Sequence, residues 1–162
     1  MSKSIREERK QRDKGRRETT KAILRNYKEN LDYIEALKAE ISKKRDRIDG
    51  VKTGLGNTDP IKGGGSSQED TIIKVLDDIQ RLEEEIYSIK LETRPVRRAI
   101  KSIEDPQHKV IIMRVWVDNS DSMRSLATQY GVSHTAIWKK SDVALLSLYK
   151  ALIWINKGWQ KP

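Results

Sequence analysis

The side chains best suited to contact another molecule are concentrated between residues 133 and 140. They are a serine, a histidine, a threonine, a tryptophan and two lysines (Ser133, His134, Thr135, Trp138, Lys139, Lys140). Hydroxyl, imidazole and indole groups form hydrogen bonds with base edges, and lysines neutralise phosphates. If the segment is helical, residues three or four positions apart lie on one side. The pattern therefore favours contact with a nucleic acid over catalysis.

Other chemistry has little support in the composition. The chain has 162 residues, no cysteine and two histidines, His108 and His134. This excludes disulfides, thiolate zinc sites and cysteine nucleophiles, and makes an intracellular location the default expectation. No carboxylate pair stands beside a nucleophile, and no apolar run approaches the roughly 18 residues of a membrane span. We expect a protein that is not an enzyme, that holds no metal or cofactor, and that does not enter a membrane.

The residues before Ser133 have the spacing of a helix-turn-helix. Leu126 and Tyr130 are one helical turn apart on the predicted core face, and the small Ala127 lies where two helices would cross. Gly131 stands at the turn, where a positive φ is needed. Ser133 is then the N-cap of the second helix and Ile137 its anchor in the core. His134, Thr135, Trp138 and Lys139 remain on the outer face, where a recognition helix meets base edges.

A further helix is predicted before this motif. Asp105 is placed to cap it, Pro106 fits its first position, and its pattern continues to Val117. The residues Asp118–Asp121 form a turn, after which Asp121 or Ser122 caps the helix that carries Arg124. We therefore predict a helix-turn-helix DNA-binding domain over 105–157. Arg124, Lys139, Lys140 and the N-terminal arm are the expected phosphate contacts, and His134, Thr135 and Trp138 are the expected contacts of the outer face.

The stretch from Asp105 to Leu152 resembles region 4 of sigma-70-type factors. It is more closely similar to the RinA/ArpU-type late-gene activators of phages that infect Gram-positive bacteria. The resemblance implies a promoter-binding regulator that helps to recruit host RNA polymerase in the bacterial cytoplasm. It also implies that the DNA contacts include Ser133, His134, Thr135, Trp138 and Lys139. One position departs from the motif: Lys140 stands where an apolar residue is usual. This leaves open whether Lys139 or Lys140 contacts phosphate.

The residues before 105 predict a different kind of structure. Residues 1–21 are dense in charge and predict a basic, flexible arm that is either disordered or a fraying helix. Residues 22–104 predict a coiled-coil helical region interrupted by a Gly-rich linker over 49–68, with a stop at Asp49-Gly50 and a break or kink at Pro95. Its expected seam residues follow heptads in both helices (Leu24, Tyr27, Leu31, Ile34, Lys38, Ile41, Arg45 and Ile48; then Ile72, Val75, Ile79, Leu82, Ile86 and Ile89). Hairpin and intermolecular pairing remain open, and two narrow seams favour self-association.

The distribution of charge fits this division. The formal net charge is +9, of which residues 1–21 and 107–162 each contribute +5, while the centre is close to neutral. Basic ends around a neutral centre are typical of a polyanion partner at the ends and protein contacts between them. The fold class predicted is all-α, with an N-terminal coiled-coil hairpin and a C-terminal sigma region 4-like helix-turn-helix domain.

Two other functions also fit these features. A small terminase subunit or another phage packaging adaptor joins a helix-turn-helix to a helical assembly region, although the motif is usually first there and is last here. A ring of eight or more subunits would favour that role. The second alternative is a coiled-coil interaction module whose helix-turn-helix does not bind DNA. Apolar residues late in the last helix, together with Trp154 and Trp159, could form a further protein contact.

Overall fold

The structure is a computed structural model that describes residues 3–54, 65–156 and 158. Its helices are α1 (Lys3–Gly54), α2 (Gly65–Lys101), α3 (Pro106–Ile111), α4 (Met123–Gln129) and α5 (His134–Asn156), with a π-helical segment (Ile112–Val117) directly after α3. The described residues contain no strand, so this part of the chain is all-α, as predicted. Within the same residues, no helix has the combination of length and apolar character needed to cross a membrane.

The chain forms two compact units. The first comprises the described residues within Met1–Glu29 and Thr93–Pro162, and the second those within Asn30–Glu92. Both α1 and α2 therefore contribute to each unit. The predicted boundaries at residues 21 and 104 differ from this division because the two long helices do not end where the packing changes.

The first unit has its core around the two helices of the predicted motif. Ile111, Leu126 and Ile137 are completely buried together, with Met123 and Ala127 beside them. Half-buried apolar side chains close the edges of this cluster (Val110, Val115, Trp116, Tyr130, Val132). Further along α5, apolar residues are also fully buried (Ala144, Leu145, Leu148). Burial along much of α5 fixes its position within the unit.

The helix predicted over 106–117 begins as expected and changes character midway. Asp105 caps it, since the amides of Gln107 and His108 donate to its Oδ1 at 2.8 and 3.3 Å. From Ile112 the segment is π-helical, and the Asp118 amide donates to the Met113 carbonyl, five residues earlier, at 2.8 Å. The wider turn is compatible with complete burial of Ile111 and Ile112 in succession.

The N-terminal segment, predicted to be either disordered or a fraying helix, is helical and packs against α5 near Thr20. Residues from Lys3 onward belong to α1, and the side chain of Thr20 is completely buried. Its hydroxyl donates to the Arg16 carbonyl at 2.9 Å and also lies 3.3 Å from the Leu145 carbonyl of α5. Packing on α5 supplies the burial that the charged sequence of this segment lacks, and it orders the segment as helix.

The second unit is an antiparallel pair formed by α1 and α2 of the same chain. Tyr33 bonds to Glu85 at 2.7 Å, whereas Lys44, further along α1, bonds to the earlier residue Asp78 at 3.3 Å. The buried cluster between the helices is formed by apolar residues of both (Ile34, Leu37, Ile41, Ile48, Ile79, Ile86, Ile89), with Ile72, Val75 and Leu82 packed against it. The predicted positions on α2 are thus confirmed.

Two of the eight predicted contact positions on α1 are wrong, while Leu24 is buried and Leu31 is half-buried. Tyr27, Ile34, Ile41 and Ile48 are buried as expected, but Lys38 and Arg45 are exposed. Leu37 occupies the interior instead, one residue before Lys38. The shift by one residue lets Arg45 pair with Glu83 at 2.8 Å on the surface, where both charges keep solvent contact.

The predicted helix stop at Asp49-Gly50 is wrong, and of the break or kink predicted at Pro95 the structure excludes the break. α1 continues past Asp49-Gly50 to Gly54, and residues 55–64 of the predicted linker 49–68 lie outside the described residues. Pro95 lies inside α2, which continues to Lys101. Ala99 and Ile100, just beyond the proline, are buried, so packing compensates for the backbone hydrogen bond that proline cannot donate.

Candidate nucleic-acid interface

The turn between α4 and α5 has the backbone geometry that the sequence predicts. Gly131 adopts a φ of +61°, and the Val132 amide donates to the Ala127 carbonyl at 3.0 Å. Ser133 then caps α5, because the Ala136 amide donates to its Oγ at 3.1 Å. The positive φ is the conformation that glycine adopts at least cost, and the serine satisfies an amide at the start of the helix.

The first turns of α5 are held from one side. Ile137 is completely buried against Leu126 and Ala127 of α4. Because Ala127 has a small side chain, the two helices can approach closely at this point. With Ile137 directed inward, the opposite side of the helix must face outward, and this side carries the predicted contact residues.

Four of the predicted contact residues share an exposed face at the start of α5: His134, Thr135, Trp138 and Lys139. The Trp138 side chain is 40% exposed, and its Nε1–H donates to His134 Nε2 at 3.1 Å. That nitrogen accepts a hydrogen bond only while it is unprotonated. The imidazole and indole rings meet edge to face, with centroids 6.1 Å apart. The hydrogen bond therefore orders two large side chains on an otherwise polar face.

Trp116 extends this aromatic group into the protein. Its ring meets that of Trp138 edge to face at 6.4 Å, and its Nε1–H donates to the buried Ser141 Oγ at 2.9 Å. The ammonium group of Lys21, from α1, lies 4.8 Å from the centroid of the Trp116 ring. Aromatic and cation–π contacts of this kind fix the position of Trp138 from beneath.

The remaining predicted residues have distinct surroundings. The side chain of Lys139 is exposed, whereas Lys140 is half-buried and its Nζ donates to Gln107 Oε1 of α3. Lys140 therefore extends toward α3, which accounts for a polar residue at the usually apolar position. Arg124 is exposed on α4. Ser133 is also exposed, although its hydroxyl accepts the capping hydrogen bond.

In the structure, α1 also contacts α5, and the sequence did not predict this contact. Arg17 Nε lies 3.2 Å from Asp142 Oδ1, and the guanidinium of Arg16 lies 5.6 Å from the centroid of the Tyr149 ring. Both partners are on α5. The available sequence signal was the spacing of Thr20, Leu24 and Tyr27, but the polar Thr20 obscured it.

Two carboxylates stabilise the turns around the motif. Hydrogen bonds from the backbone amides of His108 and Gln107 lower the pKa of Asp105. A hydrogen bond with the Ser125 side chain and another from the Ser122 amide lower the pKa of Asp121. Ser122, rather than Asp121, is the N-cap of α4, since its Oγ accepts from the Ser125 amide at 3.1 Å. Both carboxylates remain ionised at neutral pH.

Comparison with known proteins identifies no relative of this chain. No protein-family model, curated protein or solved structure matches the chain. Among the described residues, no three His, Cys, Asp or Glu side chains are grouped closely enough to hold a metal ion.

Proposed function

We propose that this protein is a sequence-specific DNA-binding transcriptional regulator that contacts duplex DNA through the start of α5. The observation that carries the proposal is the division of that helix into two sides. Ile137 is completely buried against α4, while His134, Thr135, Trp138 and Lys139 are exposed together next to the Ser133 cap. In this proposal α4 and α5 are a helix-turn-helix, with α5 as its recognition helix.

The chemistry of the exposed face supports base contact as well as phosphate contact. Thr135 offers a hydroxyl group and a methyl group, which suit base edges and the methyl group of thymine. Lys139 supplies charge, and the free amides at the N-terminus of α5 favour a nearby phosphate. Trp138 presents an apolar surface that His134 holds in place. We assign phosphate contact to Lys139 in preference to Lys140, whose amine bonds to Gln107.

Self-association belongs to the same proposal. The antiparallel helices of the second unit act as a coiled-coil hairpin in this account, and α2 keeps further large apolar side chains exposed (Ile73, Leu76, Tyr87, Leu91). Exposed apolar side chains of this kind favour contact with a second copy of the chain. A homo-oligomer would present two motifs to two half-sites and so gain avidity. Val143, Ile153 and Trp154 are exposed on α5 and offer a surface for host RNA polymerase.

By its resemblance to RinA/ArpU-type activators, the proposed role is activation of phage or prophage late genes in the bacterial cytoplasm, without enzymatic activity. The small terminase subunit remains the alternative, and the mass of the assembly in solution distinguishes the two roles. A dimer or monomer supports the regulator, and a ring of eight or more subunits supports the packaging adaptor.

DNA binding is tested with one charge reversal and a matched control. Lys139→Glu should weaken binding to a fluorescent random-sequence duplex by about tenfold or more in low salt and reduce the salt dependence. Lys150→Glu reverses the same charge at an exposed position about 16 Å further along α5 and should change binding far less. Equal effects of the two substitutions, or no binding by the unaltered protein, would overturn the proposal.

A further inference from the structure

α1 lies across the same face of α5 that carries the proposed DNA contacts. His134, Trp138, Asp142, Leu145 and Tyr149 follow one another at spacings of three or four residues, so they form a single stripe along the helix. The first two are exposed. The other three are the positions at which α1 approaches, through Arg17, Thr20 and Arg16 respectively.

The part of α5 that extends beyond α1 is slightly longer than the major groove of DNA is deep. Asp142, the first position covered by α1, is eight residues after His134, which is about 12 Å along a helix. The major groove of DNA is about 8.5 Å deep. If the first two turns of α5 enter the groove, α1 therefore comes to lie at its rim, where the phosphates are.

One flank of α1 faces this rim. Arg17 and Lys21 point toward the start of α5, since Arg17 pairs with Asp142 and Lys21 lies over Trp116, which contacts Trp138. Lys10 and Lys14 precede Arg17 at spacings of seven and three residues and so lie on the same flank. Both are exposed. These four residues (Lys10, Lys14, Arg17, Lys21) form the rim stripe.

The four residues of the rim stripe differ in whether their charges are paired with other side chains. Arg17 is paired with Asp142, and Lys21 is paired with Glu18 at 2.8 Å. Arg17, through Asp142 of α5, and Lys21, through the Trp116 ring, hold α1 in position, whereas the Lys21–Glu18 pair lies within α1. Lys10 and Lys14 are the exposed charges of the stripe, and their long side chains can reach phosphates without any change in the packing of the helix.

We propose that Lys10 and Lys14 of α1 bind the phosphate backbone of duplex DNA beside the groove that α5 enters. This inference rests on the proposed function and extends it. The N-terminal part of α1 is then a second DNA-binding element, fixed to the recognition helix by the Arg17, Thr20 and Arg16 contacts. It adds affinity on any sequence and limits how deeply α5 can enter the groove.

The test is the salt dependence of binding to a random-sequence duplex by the full chain. Each neutralised phosphate contributes about 0.9 to the slope of log affinity against log salt concentration, so the double variant Lys10→Gln/Lys14→Gln should lower that slope by about 1.8. The matched control is Arg9→Gln/Arg12→Gln, which removes two exposed charges from the same turns. Arg9 and Arg12 align with Arg16, on the flank directed toward Tyr149, and their loss should lower the slope by less than half as much.

DNA cleavage from a reagent attached at a single position shows which side of α1 lies near the duplex without relying on affinity. The chain contains no cysteine, so Lys14→Cys and Arg12→Cys each provide one attachment site for a reagent that cleaves nearby DNA. The reagent at position 14 should cut a bound duplex, and the reagent at position 12 should cut it at least several-fold less. Circular dichroism of every variant should match that of the unaltered protein.

The outcomes separate the two proposals. If the unaltered protein binds DNA but the two double variants have equal slopes, or both tethered positions cut equally, the inference about α1 is wrong and the proposed function stands. If the unaltered protein binds no duplex at low salt, both are wrong. A larger loss of slope for Lys10→Gln/Lys14→Gln, with cutting from position 14, supports both.

Discussion

Replacing Gly131 by alanine tests whether the turn between α4 and α5 depends on a positive φ. Glycine at this position has a φ of +61°, and a Cβ added there would meet nothing within 4 Å. Steric crowding by neighbours is therefore absent, and the penalty is that of the left-handed backbone alone, about 1–2 kcal/mol. The reduced freedom of the unfolded chain offsets about 0.4–1 kcal/mol of it. The free energy of unfolding should fall by about 1 kcal/mol.

Gly15 provides the matched control within the same unit. It lies in the interior of α1, and an added Cβ there also meets nothing within 4 Å. Because alanine is the better helix former, Gly15→Ala should raise the free energy of unfolding by up to about 1 kcal/mol. The opposite signs of the two substitutions isolate the effect of φ.

Asparagine provides a second comparison at the turn. Asn119 adopts a φ of +50° in the same unit, so this side chain tolerates the left-handed region here. Gly131→Asn should therefore lose less stability than Gly131→Ala. Urea denaturation followed by circular dichroism measures all three variants. An alanine variant at 131 that is as stable as the unaltered protein would refute the argument.

Two further predictions concern the support of the motif. Ser141→Ala leaves the Trp116 Nε1–H without its buried acceptor and should lower the free energy of unfolding by about 1–3 kcal/mol, measured by denaturation with tryptophan fluorescence; an unchanged midpoint would contradict this role. The lowered pKa of Asp105 predicts that its stabilising effect is present above the ordinary carboxyl pKa of 3.8 and is lost as the pH falls below it. Asp105→Asn should therefore reduce the acid sensitivity of folding in a pH series of melts, and an equally steep acid transition in both proteins would argue against the cap.

The sequence predicted the α4–α5 turn well because its signals are local. The positive φ of Gly131, the Ser133 cap and the burial of Ile137 each depend on residues a few positions away. Asp105 as the cap of α3 was predicted for the same reason. Local patterns of this kind leave few alternative structures.

The features that the sequence missed or predicted wrongly depend on contacts between distant residues. The helical order of the N-terminal segment depends on Thr20 meeting Leu145, 125 residues later, and a buried threonine among charges gives no apolar signal. Leu37 lies in the α1–α2 interior in place of Lys38 because the side of α1 that is buried is the one that packs against α2. The sequence predicted phosphate contact by the basic N-terminal segment, but the residues of the rim stripe could not be chosen from it, since they are defined by the way α1 lies across α5.

The proposed reading of DNA sequence by the exposed face at the start of α5 can be measured by selecting duplexes from a random pool. The purified protein should enrich a defined motif, and Thr135→Ala should relax the preference at one or two base pairs of that motif while binding to unrelated DNA is retained. An identical motif selected by Thr135→Ala and by the unaltered protein would contradict the assignment of Thr135. Failure of the unaltered protein to enrich any motif would contradict the account as a whole.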